Sequence, residues 1–331
     1  MTSAVVFAYH NVGVRCLAVL LKHGVEAPLV FTHDDNPAET IWFDSVKSLA
    51  QKNRIEVITP LDPNTPDIVE RVTAIAPDFI FSFYYRSMLH APLLAIPTRG
   101  ALNMHGSLLP KYRGRVPVNW AVIRGETETG ATLHYMVEKP DAGDIIGHQA
   151  VPIGPDDTAF EVFGKVTDAA VAVLDTALPA LLRHESIGRP QDLSQGSYFG
   201  GRKPEEGRID WNDSAADIHN LVRGVAPPYP GAFFDLQGRR IKVLRTKHAL
   251  KKRLDTASGP GPRPPRRPVA SLGLPRPGIT VLEGRLYAVC GDSALLELLQ
   301  VEIEGEAVNA DRFYALFGVQ SHAQKIPFEP T

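Results

Sequence analysis

Short, uninterrupted apolar runs alternate along the first hundred residues with stretches whose apolar positions recur at helical spacing. Residues 4–9 (AVVFAY) are continuous and rich in β formers, and the VRCLAVLLKHG stretch that follows is helical in period until Gly24 stops it. PLVFTH then predicts a second buried strand. The same rhythm predicts helices near 41–51 and 65–75, strands at 55–58, 78–83 (DFIFSF) and 100–105, and a helix near 116–124. Alternation of this kind favours a Rossmann-like, mostly parallel α/β sheet with helices on both faces.

The pattern changes after residue 130. ATLHYMV and DIIGHQAVPI are two consecutive extended runs joined by the short EKPDAG connection, which reads as a hairpin-like turn. Asp156, Asp157 and Thr158 offer an N-cap to a long amphipathic helix reaching about residue 183, which closes a first domain at 1–185. Residues 186–206 are polar and rich in Gly and Pro, and read as a linker. A second domain at 207–331 shows one clear helix (SAADIHNLVRGV) and short strands (GAFFDL, RIKVLRT, RLYAVC, ALLELLQVEI), the rhythm of a smaller, mainly β, open-barrel-like module.

A chain of 331 residues with 44% apolar and 22% charged residues is an ordinary globular composition with enough apolar surface for two cores. The formal net charge of −2 gives the molecule as a whole no electrostatic attraction to nucleic acid or to an anionic membrane. One segment departs from this balance. Between Lys247 and Arg276 eight Lys or Arg stand against one Asp, a net +7 in a Pro-rich stretch near 248–277 that reads as a mobile surface insertion, with a nucleic-acid or acidic-partner contact as the alternative. Cys16 and Cys290 have neither disulfide-framework nor metal spacing, and the first residues lack the basic region of a leader, so a reducing cytoplasm is the expected setting.

The turn after the first strand, AYHNVG, carries neither GxGxxG nor GxxxxGK[ST], so nicotinamide dinucleotide and P-loop nucleotide binding are unsupported. The chemistry concentrates instead in NMHGSLLPKYRGR, residues 103–115. Strand alternation sends Asn103 and His105 to one face and Met104 to the other, at the carboxyl end of a strand, where open parallel sheets collect ligands. An amide N–H and an imidazolium N–H can both donate to an oxyanion forming on an attacked carbonyl. Asp141, in the KPDAGD turn, is the candidate to orient and charge-balance His105. From spacing alone, a hydrogen-bonded structural Asn/His pair stays open as the alternative.

Taken together, NMHGSLLPKYRGRVPVNWAVIRGETETGATLHYM and the downstream DAGDII resemble the folate-dependent formyltransferase family. The resemblance implies formyl transfer from 10-formyltetrahydrofolate to an amine, without a metal. It makes Asn103, His105 and Asp141 the catalytic set, and assigns Ser87, Met88, Leu89, Arg115, Val137, Glu138, Lys139 and Pro140 to the folate. Within the family, FAYHNVG, FTHDDNP, FSFYYR, FGGRKPEEGRIDW and PYPGAF are most similar to the branch that formylates UDP-4-amino-4-deoxy-L-arabinose, a step of lipid A modification and polymyxin resistance. A nucleotide-sugar partner is therefore expected, with Lys111, Tyr112, Arg113 and Tyr229 as contacts to its diphosphate and base, each of which could equally be structural. A membrane partner is not expected, and further copies of the chain are an open alternative. Rival readings are a methionyl-tRNA formyltransferase, an enzyme for a dTDP-linked amino hexose, and a non-catalytic binding protein.

Overall fold

The computed structural model describes residues 1–37, 41–185, 188–249, 277–317 and 326–327. They form two units. One comprises Met1–Ala121, Thr127–Ile153 and Glu161–Gly201, the other Val122–Glu126, Gly154–Phe160 and Arg202–Thr331. The basic Pro-rich insertion expected near 248–277 lies outside the described residues, apart from its edges.

The first unit begins β1 (Ser3–Ala8), α1 (His10–Lys22), β2 (Glu26–Phe31), α2 (Val46–Lys52), β3 (Glu56–Ile58), α3 (Pro66–Ile75), β4 (Phe79–Phe83), α4 (Ala91–Leu94) and β5 (Ala101–His105). It continues with β6 (Arg113–Gly114), α5 (Pro117–Ile123), β7 (Glu128–Tyr135), β8 (Ile145–Pro152), α6 (Ala159–Leu182) and β9 (Tyr198–Phe199). Its main sheet runs in the order β3-β2-β1-β4-β5-β7-β8; the first five strands are parallel and the β7–β8 hairpin adds two antiparallel strands. Because β2 and β4 lie on opposite sides of β1, the chain reverses its direction of travel there, and a crevice opens outside the carboxyl ends of β1 and β4.

Both faces of this sheet are covered, which is why β1 and β4 read as unbroken apolar runs. Val5 and Phe7 share one core with Leu29, Phe31, Ile68, Val72, Ile80 and Leu93, with Phe7 and Phe31 stacked at 4.5 Å, while Ala4, Val6 and Ala8 are fully buried on the other face. The helix expected from residue 41 starts only at Val46, where the Ser45 hydroxyl accepts the Ser48 N–H. Trp42 and Phe43, before it, are held in ring contacts with His10.

The second unit contains α7 (Ala215–Gly224), β10 (Ala232–Leu236), β11 (Arg239–His248), β12 (Gly278–Leu282), β13 (Arg285–Val289), β14 (Leu295–Ile303), β15 (Glu306–Ala307), α8 (Ala310–Phe317) and β16 (Ile326–Pro327). The strands pair antiparallel in the order β10-β11-β14-β13-β12-β16, with β15 beside β14. Trp211, Ile218, Val222, Phe234, Ile241, Leu296 and Phe313 fill one core against it. Four elements go beyond the sequence expectation: β12, β15, β16, and α8, a second helix in which Phe313 and Phe317 bury in that core. Among the described residues no helix is long and apolar enough to cross a membrane.

Candidate active site

β5 pairs in parallel with β4 and antiparallel with β7, which puts Asn103 opposite both Ser82 and His134, and His105 opposite Thr132. Residues directly opposite across a ladder share a face, so Asn103, His105 and His134 project to one side while Met104 buries on the other. Over that side the β7–β8 connection folds back and presents Asp141, at φ +51°, a left-handed conformation that Asp tolerates better than most residues.

The four side chains meet. Asp141 Oδ1 lies 3.4 Å from Asn103 Nδ2, 3.5 Å from His105 Nδ1 and 3.5 Å from His134 Nε2, while Oδ2 accepts the Gly114 N–H at 2.8 Å. Burial opposes charge on this carboxyl, but His105, His134 and the Gly114 amide outweigh burial and hold it well below the ordinary carboxylate range. Asp141 is an anion throughout the physiological range.

His105 is buried, and its Nε2 donates to the Tyr112 carbonyl at 2.8 Å. With Nδ1 turned to Asp141 Oδ1, both ring nitrogens face oxygen atoms. The expectation that His105 points a free N–H at a substrate carbonyl is thus modified: in this arrangement Nε2–H is already given to the backbone.

The turn after β5 is fixed from several directions. Ser107 Oγ donates to the Lys111 carbonyl at 2.6 Å, and Thr132 Oγ1 donates to the Ser107 carbonyl and accepts the Leu109 N–H. A Cβ on Gly106 would overlap the Tyr84 hydroxyl, so a larger residue there would displace the Tyr84 side chain. Gly114, at φ +99°, pairs with Phe199 in the β6–β9 ladder, where a Cβ would overlap the Phe199 carbonyl. Its close approach is what delivers the amide to Asp141.

Residues 188–201, within the stretch expected as a linker, contribute to this framework. Gln191 Nε2 donates to the Asp141 and Gly143 carbonyls at 3.1 and 2.6 Å, and Ser197 holds Tyr112 and Arg113 through the Tyr112 N–H and Arg113 N–H. His134 and Gln191 escaped the sequence reading, although His134, a lone imidazole in an apolar strand, carried the same kind of signal as His105.

The residues expected at the folate divide by exposure. Met88, Val137, Glu138, Lys139 and Arg115 are exposed, Ser87 and Pro140 half-buried, and the Leu89 side chain is buried in the β1–β4 core. The loop after β4 is nevertheless held in place at both ends. His33 Nε2 accepts the Arg86 N–H at 3.1 Å, and Asn64 accepts the His90 N–H at 2.8 Å while donating to the Met88 carbonyl at 3.0 Å. Between those braces, no group among the described residues takes the amide hydrogens of Ser87, Met88 or Leu89. Of the residues expected at the sugar nucleotide, Lys111 is exposed, Tyr112 is buried and stacked on Phe199 at 5.1 Å, and Arg113 is buried. Tyr229 belongs to the second unit, half-buried in the turn after α7. Among the described residues no group of three or more His, Cys, Asp or Glu side chains is arranged to hold a metal ion.

The chain is similar to known proteins over most of its length. The N-formyltransferase from Helicobacter canadensis, solved with folinic acid and dTDP-3-aminofucose, superposes with a TM-score of 0.67 at 19% identity, over 90% of this chain and 99% of that one. WlaRD, a sugar 3N-formyl transferase solved with dTDP and 5-N-formyl-THF, gives 0.64 at 17% identity, over 92% and 99%. HypX from Aquifex aeolicus, in complex with tetrahydrofolic acid, gives 0.59 at 16%, over 95% of this chain and 47% of that one. At these identities the likeness establishes the fold. Sequence models go further: one described as formyl transferase matches residues 15–178, and one described as formyl transferase, C-terminal domain, matches residues 202–317. The chain is accordingly an enzyme and belongs to the formyltransferase family.

Proposed function

We propose that this chain transfers a formyl group from 10-formyltetrahydrofolate to the amine of a nucleotide-linked amino sugar, with UDP-4-amino-4-deoxy-L-arabinose as the acceptor. The observation that carries the reading is the convergence of Asn103, His105 and Asp141, from two separate stretches of chain, around one ionised carboxylate. Family membership supports formyl transfer, and the folate and dTDP-sugar ligands of the similar structures support the two substrate classes.

The residues fit a folate. The loop after β4 offers consecutive backbone donors on a braced turn, and the exposed 137–140 segment leads directly into Asp141. Ser87, Met88, Leu89, Arg115 and residues 137–140 would hold the co-substrate, which when bound supplies an activated formyl carbonyl. Asn103 then does the most direct work. Its 3.4 Å contact to Asp141 is at the limit of a hydrogen bond, so that amide hydrogen is the one available to a carbonyl oxygen gaining negative charge. His105, set between the Tyr112 carbonyl and Asp141, lies on the same face and braces the carboxylate. A carboxylate held this far below its usual range is a weak base, so Asp141 orients Asn103 and His105, and the proton lost by the attacking amine would pass through water to the folate nitrogen whose bond to the formyl carbon breaks. Holding the amine and the formyl group together contributes up to roughly 7–11 kcal/mol when alignment is good.

The dTDP-linked amino hexoses form a second reading, favoured by the ligands of the similar structures. Formylation assays with 10-formyltetrahydrofolate and UDP-4-amino-4-deoxy-L-arabinose, dTDP-linked amino hexoses or methionyl-tRNA decide between them. The arabinose acceptor is expected to give the highest kcat/KM; preference for a dTDP sugar would move the assignment to the second reading, and transfer only to methionyl-tRNA would overturn both.

A further inference from the structure

Arg113 is nine-tenths buried, with 9% of its surface exposed, yet its Nε has no hydrogen-bond partner. Among the described residues no carboxylate, carbonyl or ring engages its guanidinium at all, whereas the other buried arginine, Arg223, donates to three protein groups. A buried charge left unpaired costs stability, and an incoming anion would offset that cost. Guanidinium is also the side chain best matched to oxyanions, through its planar fork of donors.

Its place in the chain adds a second consequence. The residue before it, Tyr112, accepts the His105 Nε2–H at 2.8 Å, and the residue after it, Gly114, donates to Asp141 Oδ2 at 2.8 Å. Arg113 itself is pinned between them, its N–H donating to the Ser197 carbonyl and its backbone paired with Tyr198 in the β6–β9 ladder. Any force on the Arg113 side chain therefore reaches both members of the His105/Asp141 pair through one peptide unit each.

We propose that Arg113 is a buried anion receptor, and that an oxyanion of a substrate seated on it fixes the alignment of His105 and Asp141. The inference rests on the reading of the site as a formyl-transfer site and names within it the group that senses a substrate's charge. Two sources share the chemistry: the diphosphate of the acceptor and the carboxylates of the folate glutamate tail. Either would place binding energy from a remote part of a substrate into catalytic geometry, so removing the anion lowers kcat as well as raising KM.

The test uses Arg113→Met, which keeps the volume and removes the charge, and Arg113→Lys, which keeps a charge without the fork. Thermal unfolding of the full chain is followed with and without inorganic pyrophosphate, and kinetics are measured for both substrates. The expected result is a Tm for Arg113→Met equal to or above that of the wild type, loss of pyrophosphate stabilisation, a tenfold or greater fall in kcat, and partial recovery in Arg113→Lys. A rise in acceptor KM with an unchanged Kd for folinic acid assigns the diphosphate, and the reverse assigns the glutamate carboxylates. A lowered Tm with unchanged Kd and KM values would make Arg113 a structural residue and overturn the proposal, as would unchanged kinetics at unchanged Tm. If the wild type transfers no formyl group but keeps the Arg113-dependent pyrophosphate stabilisation, the formyl-transfer reading fails and the anion receptor stands.

Discussion

His134 stands directly opposite Asn103 across the β5–β7 ladder, and its Nε2 lies 3.2 Å from the Asn103 amide nitrogen. The His134 Nδ1 donates to the Tyr135 carbonyl at 2.7 Å, which fixes the ring with Nε2 facing both the Asn103 amide and Asp141 Oδ1, 3.5 Å away. Replacing His134 by Phe removes that contact and frees the amide to turn. A fall in kcat of roughly 10- to 100-fold, about 1–3 kcal/mol, is expected with acceptor KM within twofold of wild type, measured by steady-state kinetics.

Asn64 braces the loop after β4 from both sides of Leu89 and is itself oriented by Asp62, which accepts its backbone and side-chain N–H groups. Asn64→Ala should loosen a row of backbone donors without touching the catalytic face. Titration with folinic acid is expected to show affinity weakened roughly tenfold, about 1.4 kcal/mol, with kcat at saturation nearly unchanged. Equal affinity in wild type and variant would separate this loop from folate binding.

His10 sits at φ +67° within a collar of Trp42, Phe43 and Phe163, and its Nδ1 is buried without a partner. Burial, with Arg86 adding to it, lowers its pKa from the ordinary 6.5 to about 3. The unfolded chain therefore binds a proton in the window between about pH 6.5 and 3 that the folded chain does not, and stability falls as pH drops through that window, by about 4 kcal/mol at pH 3. Above pH 6.5 the group contributes no slope. Asn accepts left-handed backbone and does not titrate, so His10→Asn should lose less stability than wild type between pH 6.5 and pH 4 in chemical-denaturation curves.

The central strands were legible because burial on both faces writes them as continuous apolar runs, as in residues 4–9 and DFIFSF. Strand alternation likewise gave the shared face of Asn103 and His105. His134 was not legible as their neighbour, since a period of two says which residues share a face of one strand but not which strand lies beside it or in what register. Gln191 and the burial of Arg113 were hidden for related reasons. Arg113 lies in a two-residue ladder, β6–β9, too short to leave a hydrophobic period, and Gln191 lies in a stretch whose Gly and Pro content reads as a connector. In the second unit α8 was missed because its apolar face is short, with Phe313, Tyr314 and Phe317 the residues that bury it.

The most direct test of the proposed function is single-turnover formyl transfer from 10-formyltetrahydrofolate to UDP-4-amino-4-deoxy-L-arabinose by the wild type and by Asn103→Ala. Asn103 is half-buried and is the oxyanion donor of the proposed mechanism, so its loss is expected to remove that stabilisation and leave the fold intact. A formylated sugar nucleotide is expected from the wild type, with a rate lower by roughly 10²–10³ in the variant, about 3–4 kcal/mol, at unchanged Tm. A variant rate within threefold of wild type would contradict the role proposed for Asn103.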